Sequence, residues 1–249
     1  MKHFAFLLIV VASVGCASSS SHPAGAQSPA KFKTTVTRQI IERYWLYLPP
    51  EYNSDLRKKW PLVIFLHGAG ERGEDLDNVT THGPAKLAER GKQFPFILIS
   101  PQCPANARWN VDDLDIFLTD VLQRYRVDKD RVYLTGLSMG GWGTWQWATN
   151  YPNRFAAIVP ICGAGDPFLM KKTVTYPPVW AFHGDADETV KLAETQRMID
   201  AFKKRGAYVK LTVYPGAKHD SWTQTYENQE MWNWLLSKKR GECAADLAQ

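Results

Sequence analysis

The stretch "GLSMGGWGTW", Gly136–Trp145, places four glycines and one serine within eight residues, directly after the apolar run "RVYLT". Glycine loses more conformational entropy than any other residue when a regular element forms. Such a cluster therefore persists where the backbone must bend sharply or be approached closely. Ser138 sits at the centre of Gly-x-Ser-x-Gly, between a continuous apolar run and a helical pattern. Gly136 and Gly140 let a strand turn into a helix without side-chain clash. The turn then holds the serine strained, its hydroxyl exposed above a helix N-terminus. Ser138 is the reason for the turn.

Outward from this point the chain alternates between two periods. "PLVIFLH" (61–67), "PFILIS", "RVYLTG", "FAAIVPICG", "PPVWAFHGD" and "YVKLTVYPG" are apolar runs of strand length. Continuous runs of this kind mark strands covered on both faces. "TTVTRQIIERYWLYLP" alternates and predicts half-buried antiparallel strands. Between them lie helical patterns: "GPAKLAERG", "DDLDIFLTDVLQRYR", Met139 to Asn150, "ETVKLAETQRMIDAFKKRG" and a last helix over "QTYENQEMWNWLLSKKRG". This alternation predicts an α/β fold, a mostly parallel central sheet with helices on both faces and one core. Ligands of such sheets bind at the carboxyl ends of the strands.

A serine hydroxyl needs a base to take its proton as it attacks. Of six histidines, His3 and His22 precede the fold, His82 stands before a short helix, and His67 and His183 end buried strands, where they serve loop geometry. His219, in the loop after the last strand, is the one downstream of every other strand, where the order Ser…Asp…His requires the base. Asp185 and Asp187 compete as the acid that orients it. Asp185 lies close enough to its strand to form the turn, whereas Asp187 can reach the next loop, and Asp187 is expected to be the acid. An oxyanion hole needs two backbone N–H groups. Met139, after the serine, supplies one, and Ala69 in the glycine-rich "HGAGERG" supplies the other. Ten tryptophans are present, most of them in regular elements and expected in the core. Trp109 and Trp222, in loops, are expected to wall a cleft and contact substrate.

Composition narrows the class. A chain of 249 residues, 45% hydrophobic and 22% charged, is long enough for one sizeable core. The net charge of +5 is scattered, and the "KKR" clusters fall at helix ends, so no nucleic-acid partner is expected. The start "MKHFAFLLIVVASVGC" reads as an export signal over residues 1–15, too short to remain as a membrane span. Ser13-Val14-Gly15-Cys16 resembles a bacterial lipobox, with Cys16 as the lipidated first residue. "AGA" at 24–26 offers an ordinary cleavage site instead. Residues 16–33 form a polar tether, 34–240 the folded domain and 241–249 a tail. A membrane is thus expected as partner only through a lipid on Cys16, and oligomeric state is not legible. No spacing of cysteine or histidine forms a metal site, and no cofactor is expected. Cys103, Cys162 and Cys243 are each expected to stay unpaired. The first two follow non-adjacent strands, and the third lies a helix length from both.

Taken together, "LHGAGERG" (66–73), "GLSMGG" (136–141), "FHGDADETV" (182–190) and "GAKHDSW" (216–222) resemble an α/β-hydrolase of the phospholipase/carboxylesterase and dienelactone-hydrolase-like group. The likeness spans roughly residues 34 to 240. It implies Ser138 as nucleophile, Asp187 as acid, His219 as base, and the amides of Ala69 and Met139 as oxyanion hole. Only about fourteen residues separate the strands at 155–163 and 178–184, so no lid is expected between them. The expected activity is that of an exported serine carboxylesterase acting on small-molecule or sugar-linked esters. A small serine peptidase and a non-catalytic carbohydrate-binding or scaffold protein on the same fold are the alternatives.

Overall fold

The computed structural model describes residues 31–241 except 36, 38, 41 and 173. The expected signal, Cys16, all but the end of the tether, and Cys243 lie outside the described residues. A compact unit begins at Ile40.

The strands are β1 (Tyr44–Tyr47), β2 (Trp60–Leu66), β3 (Ile97–Pro101), β4 (Val127–Leu137), β5 (Ala157–Ile161), β6 (Val179–Gly184) and β7 (Val209–Tyr214). They form one seven-stranded sheet in the order β1-β3-β2-β4-β5-β6-β7. Only the β1–β3 pair is antiparallel. The helices are α1 (Gly83–Glu89), α2 (Val111–Arg124), α3 (Met139–Asn150), α4 (Leu192–Lys204), α5 (Trp222–Glu227) and α6 (Gln229–Ser237). Strand side chains alternate between two cores, as the two-residue period requires. Leu62, Ile64 and Leu66 of β2 pack with Leu114 and Leu118 of α2, Trp145 of α3 and Phe202 of α4. Val63 and Phe65 pack on the other face with Ala85 of α1, Tyr226 of α5 and Trp232 of α6. The seven residues of β2 are all buried, which is why their sequence shows no alternation.

Three expectations change. Among the described residues, the run before residue 50 yields the four-residue β1 alone. The last helix is two helices, because the Asn228 side chain accepts from the Glu230 and Met231 N–H groups at 2.9 and 3.4 Å and starts α6 afresh. Finally, α4 begins at Leu192 and leaves residues 185–191 as a loop. There the Thr189 and Val190 N–H groups donate to the Asp187 carboxylate rather than to a helix. Cys103 and Cys162 are buried and unpaired, as expected, with β2 and β4 standing between β3 and β5. Among the described residues, the β5–β6 connection carries one 3-10 turn, Pro167–Leu169, beside α4, where Arg205 donates to the Met170 carbonyl at 3.3 Å. No helix among the described residues is long and apolar enough to cross a membrane.

The tightest packing is at the start of α3. A methyl group on Gly140 would fall on the Leu66 carbonyl, and one on Gly136 on the Gly140 carbonyl, backbone atoms that cannot swing away. Gly140→Ala is therefore expected to cost about 3 kcal/mol or more, since the overpacking is against main chain. Gly70→Ala, with open space around its α-carbon, should stay within about 0.5 kcal/mol. Urea unfolding of both variants measures the contrast.

Candidate active site

β4 ends at Leu137 and α3 begins at Met139, so Ser138 alone makes the turn, with φ 53° and ψ −114°. Positive φ in a residue with a β-carbon costs on the order of 1–3 kcal/mol and persists only where the surroundings dictate it. Here the Ser138 N–H donates to the Ile161 carbonyl and its own carbonyl accepts from Trp142 N–H, both at 2.9 Å.

His219 arrives from the loop after β7, and its Nε2 stands 2.9 Å from Ser138 Oγ. Its Nδ1 lies 2.7 Å from Asp187 Oδ2. A carboxylate only accepts, so Nδ1 carries the proton and the Nε2 lone pair faces the serine. Asp187 is 3% exposed. Burial works to raise its pKa. The hydrogen bonds from His219, Val190 N–H and Thr189 N–H outweigh that, and the carboxyl is held below its usual range. Asp185 is exposed, and its carboxylate accepts from Gly216 N–H at 2.7 Å, tying the β6 loop to the β7 loop. It forms the turn; Asp187 reaches the histidine.

The loop after β2 is built around two histidine contacts. His67 Nδ1 donates to the Gly68 carbonyl at 2.7 Å, and its Nε2 accepts from Cys103 N–H at 3.0 Å. In a trans peptide the carbonyl and the next N–H point in opposite directions. Fixing the Gly68 carbonyl on His67 therefore aims the Ala69 N–H the other way. Arg72 holds the same loop through Nε to the Ala69 carbonyl at 2.8 Å and Nη1 to the Ala107 carbonyl at 3.0 Å. Ala69 N–H finds no backbone acceptor among the described residues. Met139 N–H belongs to the first turn of α3, where a helix leaves its donors free. His183 plays the other supporting role. Its ring nitrogens reach the Val190 carbonyl and the Thr195 hydroxyl, each at 2.8 Å.

The two loop tryptophans part company. Trp109 is 4% exposed, its indole N–H donates to the His67 carbonyl at 3.1 Å, and its ring lies 4.8 Å from His67. It packs the loop down and does not wall the cleft, because a large ring beside a buried imidazole gains more from burial than from exposure. Trp222 is partly exposed and meets His219 edge-on at 5.4 Å, so it does flank the site. Sequence reasoning passed over Trp142, expected in the core. It is half-buried one turn beyond Ser138, with the Arg108 guanidinium 5.8 Å over its ring. Its i+4 spacing from the serine was the available signal. Arg72 was missed too, although it stands within the glycine-rich loop.

Cys162, Asp187 and His219 offer ligand atoms within 4.8 Å of one another. The donor set does not suit a cation. Burial pushes the Cys162 thiol up to about 12, so it stays protonated, and both Asp187 oxygens already accept hydrogen bonds.

The same burial acts on His67. It pushes that imidazole down to about 4, while the Gly68 carbonyl pulls it up and Arg72 pushes it down. An unfolded chain gains this proton near the ordinary value of about 6.5, and the folded chain only near 4. Stability from neutral His67 is therefore full above about pH 6.5 and drains as pH falls toward 4. Between pH 7 and 4.5 the loss is expected to be about 2 kcal/mol, and a His67→Asn variant should show that much less acid sensitivity in urea unfolding.

The model of the dienelactone hydrolase family matches residues 105–233, just over half of the chain. Among solved structures, a thermostable esterase is similar at TM-score 0.67 and 32% identity, over 79% of this chain and 59% of its own. Among curated proteins, a bifunctional acetylxylan esterase/xylanase of Neocallimastix patriciarum is 23% identical over 60% of this chain. Dipeptidyl-peptidase 5 of Porphyromonas gingivalis is 24% identical over 70% of it. This chain spans only 22% and 32% of the lengths of those two proteins. The family match lies across the elbow, the Asp187 loop and the His219 loop, on a sheet of α/β-hydrolase order, and the chain belongs to the dienelactone hydrolase family.

Proposed function

We propose that this protein is an exported hydrolase of carboxylic esters that works through a serine acyl-enzyme. The observation that carries the reading is the unbroken line Ser138 Oγ, His219 Nε2, His219 Nδ1, Asp187 Oδ2, at 2.9 and 2.7 Å, set on a strained turn. Ser138 Oγ attacks the ester carbonyl carbon as His219 Nε2 takes its proton. The carbonyl electron pair moves to oxygen, which the Ala69 and Met139 N–H groups receive. Collapse expels the alcohol, protonated by His219, and leaves an acyl-Ser138. Water then attacks the acyl carbon with His219 as base, and the carboxylic acid leaves. Ionised Asp187 keeps the imidazole in the competent tautomer and stabilises it while it carries the proton. Export rests on the apolar stretch that ends at Cys16, with a lipid on Cys16 as the anchor.

The likeness to a dipeptidyl-peptidase over 70% of the chain supports peptide hydrolysis as a second reading. The thermostable esterase is the more similar at 32% identity and supports esters first. A panel of p-nitrophenyl, feruloyl and acetyl-sugar esters beside aminoacyl anilides separates the two. Turnover of the anilides alone would overturn the ester reading.

Ser138→Ala is expected to lower ester turnover by about 10⁴-fold or more while the unfolding midpoint stays close to the parent's. A fluorophosphonate should label the parent at Ser138, read by peptide mapping. Labelling at another residue would place the nucleophile elsewhere. Asp187→Asn should lower kcat by about 10⁴-fold, because an amide favours the wrong histidine tautomer. Asp185→Asn should act on stability instead, by about 1 kcal/mol through the Gly216 contact. Steady-state kinetics and urea unfolding of the two variants give the contrast.

A further inference from the structure

Glu71 has no place in the mechanism above, yet its carboxylate is beside the nucleophile. Its side chain is 10% exposed, and Oε2 is buried with no hydrogen-bond partner among the described residues. A methyl group on Gly68 would meet Glu71 Oε2 at 2.9 Å and Ser138 Cβ at 3.7 Å, so carboxylate and serine flank one α-carbon. On its far side, Glu71 Oε1 lies 3.8 Å from His82 Nε2. The His82 ring is 5.4 Å from Trp222, and Trp222 is 5.4 Å from His219. Ser138, His219, Trp222, His82, Glu71 and Gly68 thus form a closed ring around one side of the cleft. A groove of about 170 Å³ leads away from His82 and Trp222 between α1 and α5, lined further by Lys86, Arg90 and Glu227.

Oε2 is enclosed beside Gly68, so the oxygen open to a donor is Oε1, on the His82 side, and a mostly buried carboxylate is costly unless a donor reaches it. The separation of 3.8 Å between Glu71 Oε1 and His82 Nε2 is too long for a hydrogen bond. A single group set to the side of that gap, about 2.8 Å from both atoms, can donate to the carboxylate and accept from the imidazole N–H. A hydroxyl does both, whereas an ammonium only donates and a carboxylate only accepts. Trp222 adds an aromatic wall of the kind on which the C–H face of a polyol ring can lie.

We infer that Glu71 and His82, walled by Trp222, form a subsite for a substrate hydroxyl close to the ester, as in a partially acylated sugar. The inference rests on the ester reading and deepens it. Glu71 and His82 set which esters are accepted and take no part in the proton transfers at Ser138.

The test compares kcat/KM for a monoacetylated methyl xyloside with that for cyclohexyl acetate, which lacks the hydroxyls. The parent should prefer the sugar ester by tenfold or more, and Glu71→Gln and His82→Phe should each lower that ratio at least fivefold. A parent ratio near one, a ratio unchanged in both variants, or a stronger preference for an ester bearing an ammonium would overturn the inference. Ser138→Ala protein provides a readout independent of hydrolysis. Titration with methyl xyloside should change tryptophan fluorescence, and Glu71→Gln in the same background should weaken binding at least fivefold. If no ester is hydrolysed while this Glu71-dependent binding persists, the ester reading fails and the subsite stands. Absence of binding in the parent background, or binding indifferent to Glu71, overturns the subsite whatever the kinetics.

Discussion

The contact on which the rest of the site depends is that between the first turn of α3 and the end of β2. Gly140 lies so close to the Leu66 carbonyl that no β-carbon fits between them, and Gly136 lies against Gly140 in the same way. This backbone contact leaves Ser138 to reverse the chain alone, at a φ that serine seldom adopts. The strain is offset by hydrogen bonds on either side of the residue and by an α3 whose Trp145, Trp147 and Ala148 are wholly buried. Because β2, β4, β6 and β7 run parallel, their carboxyl ends share an edge. The Ala69 loop, Ser138, the Asp187 loop and the His219 loop therefore converge there.

Around that point the polar groups divide by burial. Asp187 is buried and takes three hydrogen bonds, which keep it ionised despite its surroundings. Asp185, two residues earlier, is exposed and closes a turn. His67 and His183 are wholly buried and tied to neighbouring backbone or side chains, so they hold loops. His219 is partly exposed and has one nitrogen on an acid and the other on a hydroxyl. Residue type is shared in each pair, and environment separates the roles.

The wall of the cleft is less symmetrical than its tryptophan content implies. Trp222 borders it beside His219 and Trp142 is half-buried under Arg108, while Trp109 has turned inward beneath the β2 loop. The connection between β5 and β6 packs along α4, while His82 and Trp222 meet ring to ring beside His219. Glu71 and His82 come from the connection between β2 and α1, and Trp222 from the start of α5, and the sheet brings the two segments together.

Much was legible in the sequence. Continuous apolar runs marked β2 to β7, an alternating run contained β1, and 3.6-residue periods punctuated by glycine marked the helices α1 to α3, because burial on both faces writes itself into composition. The elbow was legible because only glycine tolerates the backbone contacts at 136 and 140. The choice of Asp187 and His219 followed from strand order, and their distances agree with it. Tertiary structure alone decided three matters. It set where α4 starts, since the Asp187 carboxylate competes with the helix for the Thr189 and Val190 N–H groups. It decided how far each tryptophan is covered, since Trp109 lies in a loop that shows no period and Trp142 and Trp222 sit in the first turn of a helix, where the period does not say what packs against the ring. It also brought Glu71 and His82 together, eleven residues apart in a loop-rich segment. No local pattern encodes a contact made through space, and only the folded sheet edge brings such side chains within reach.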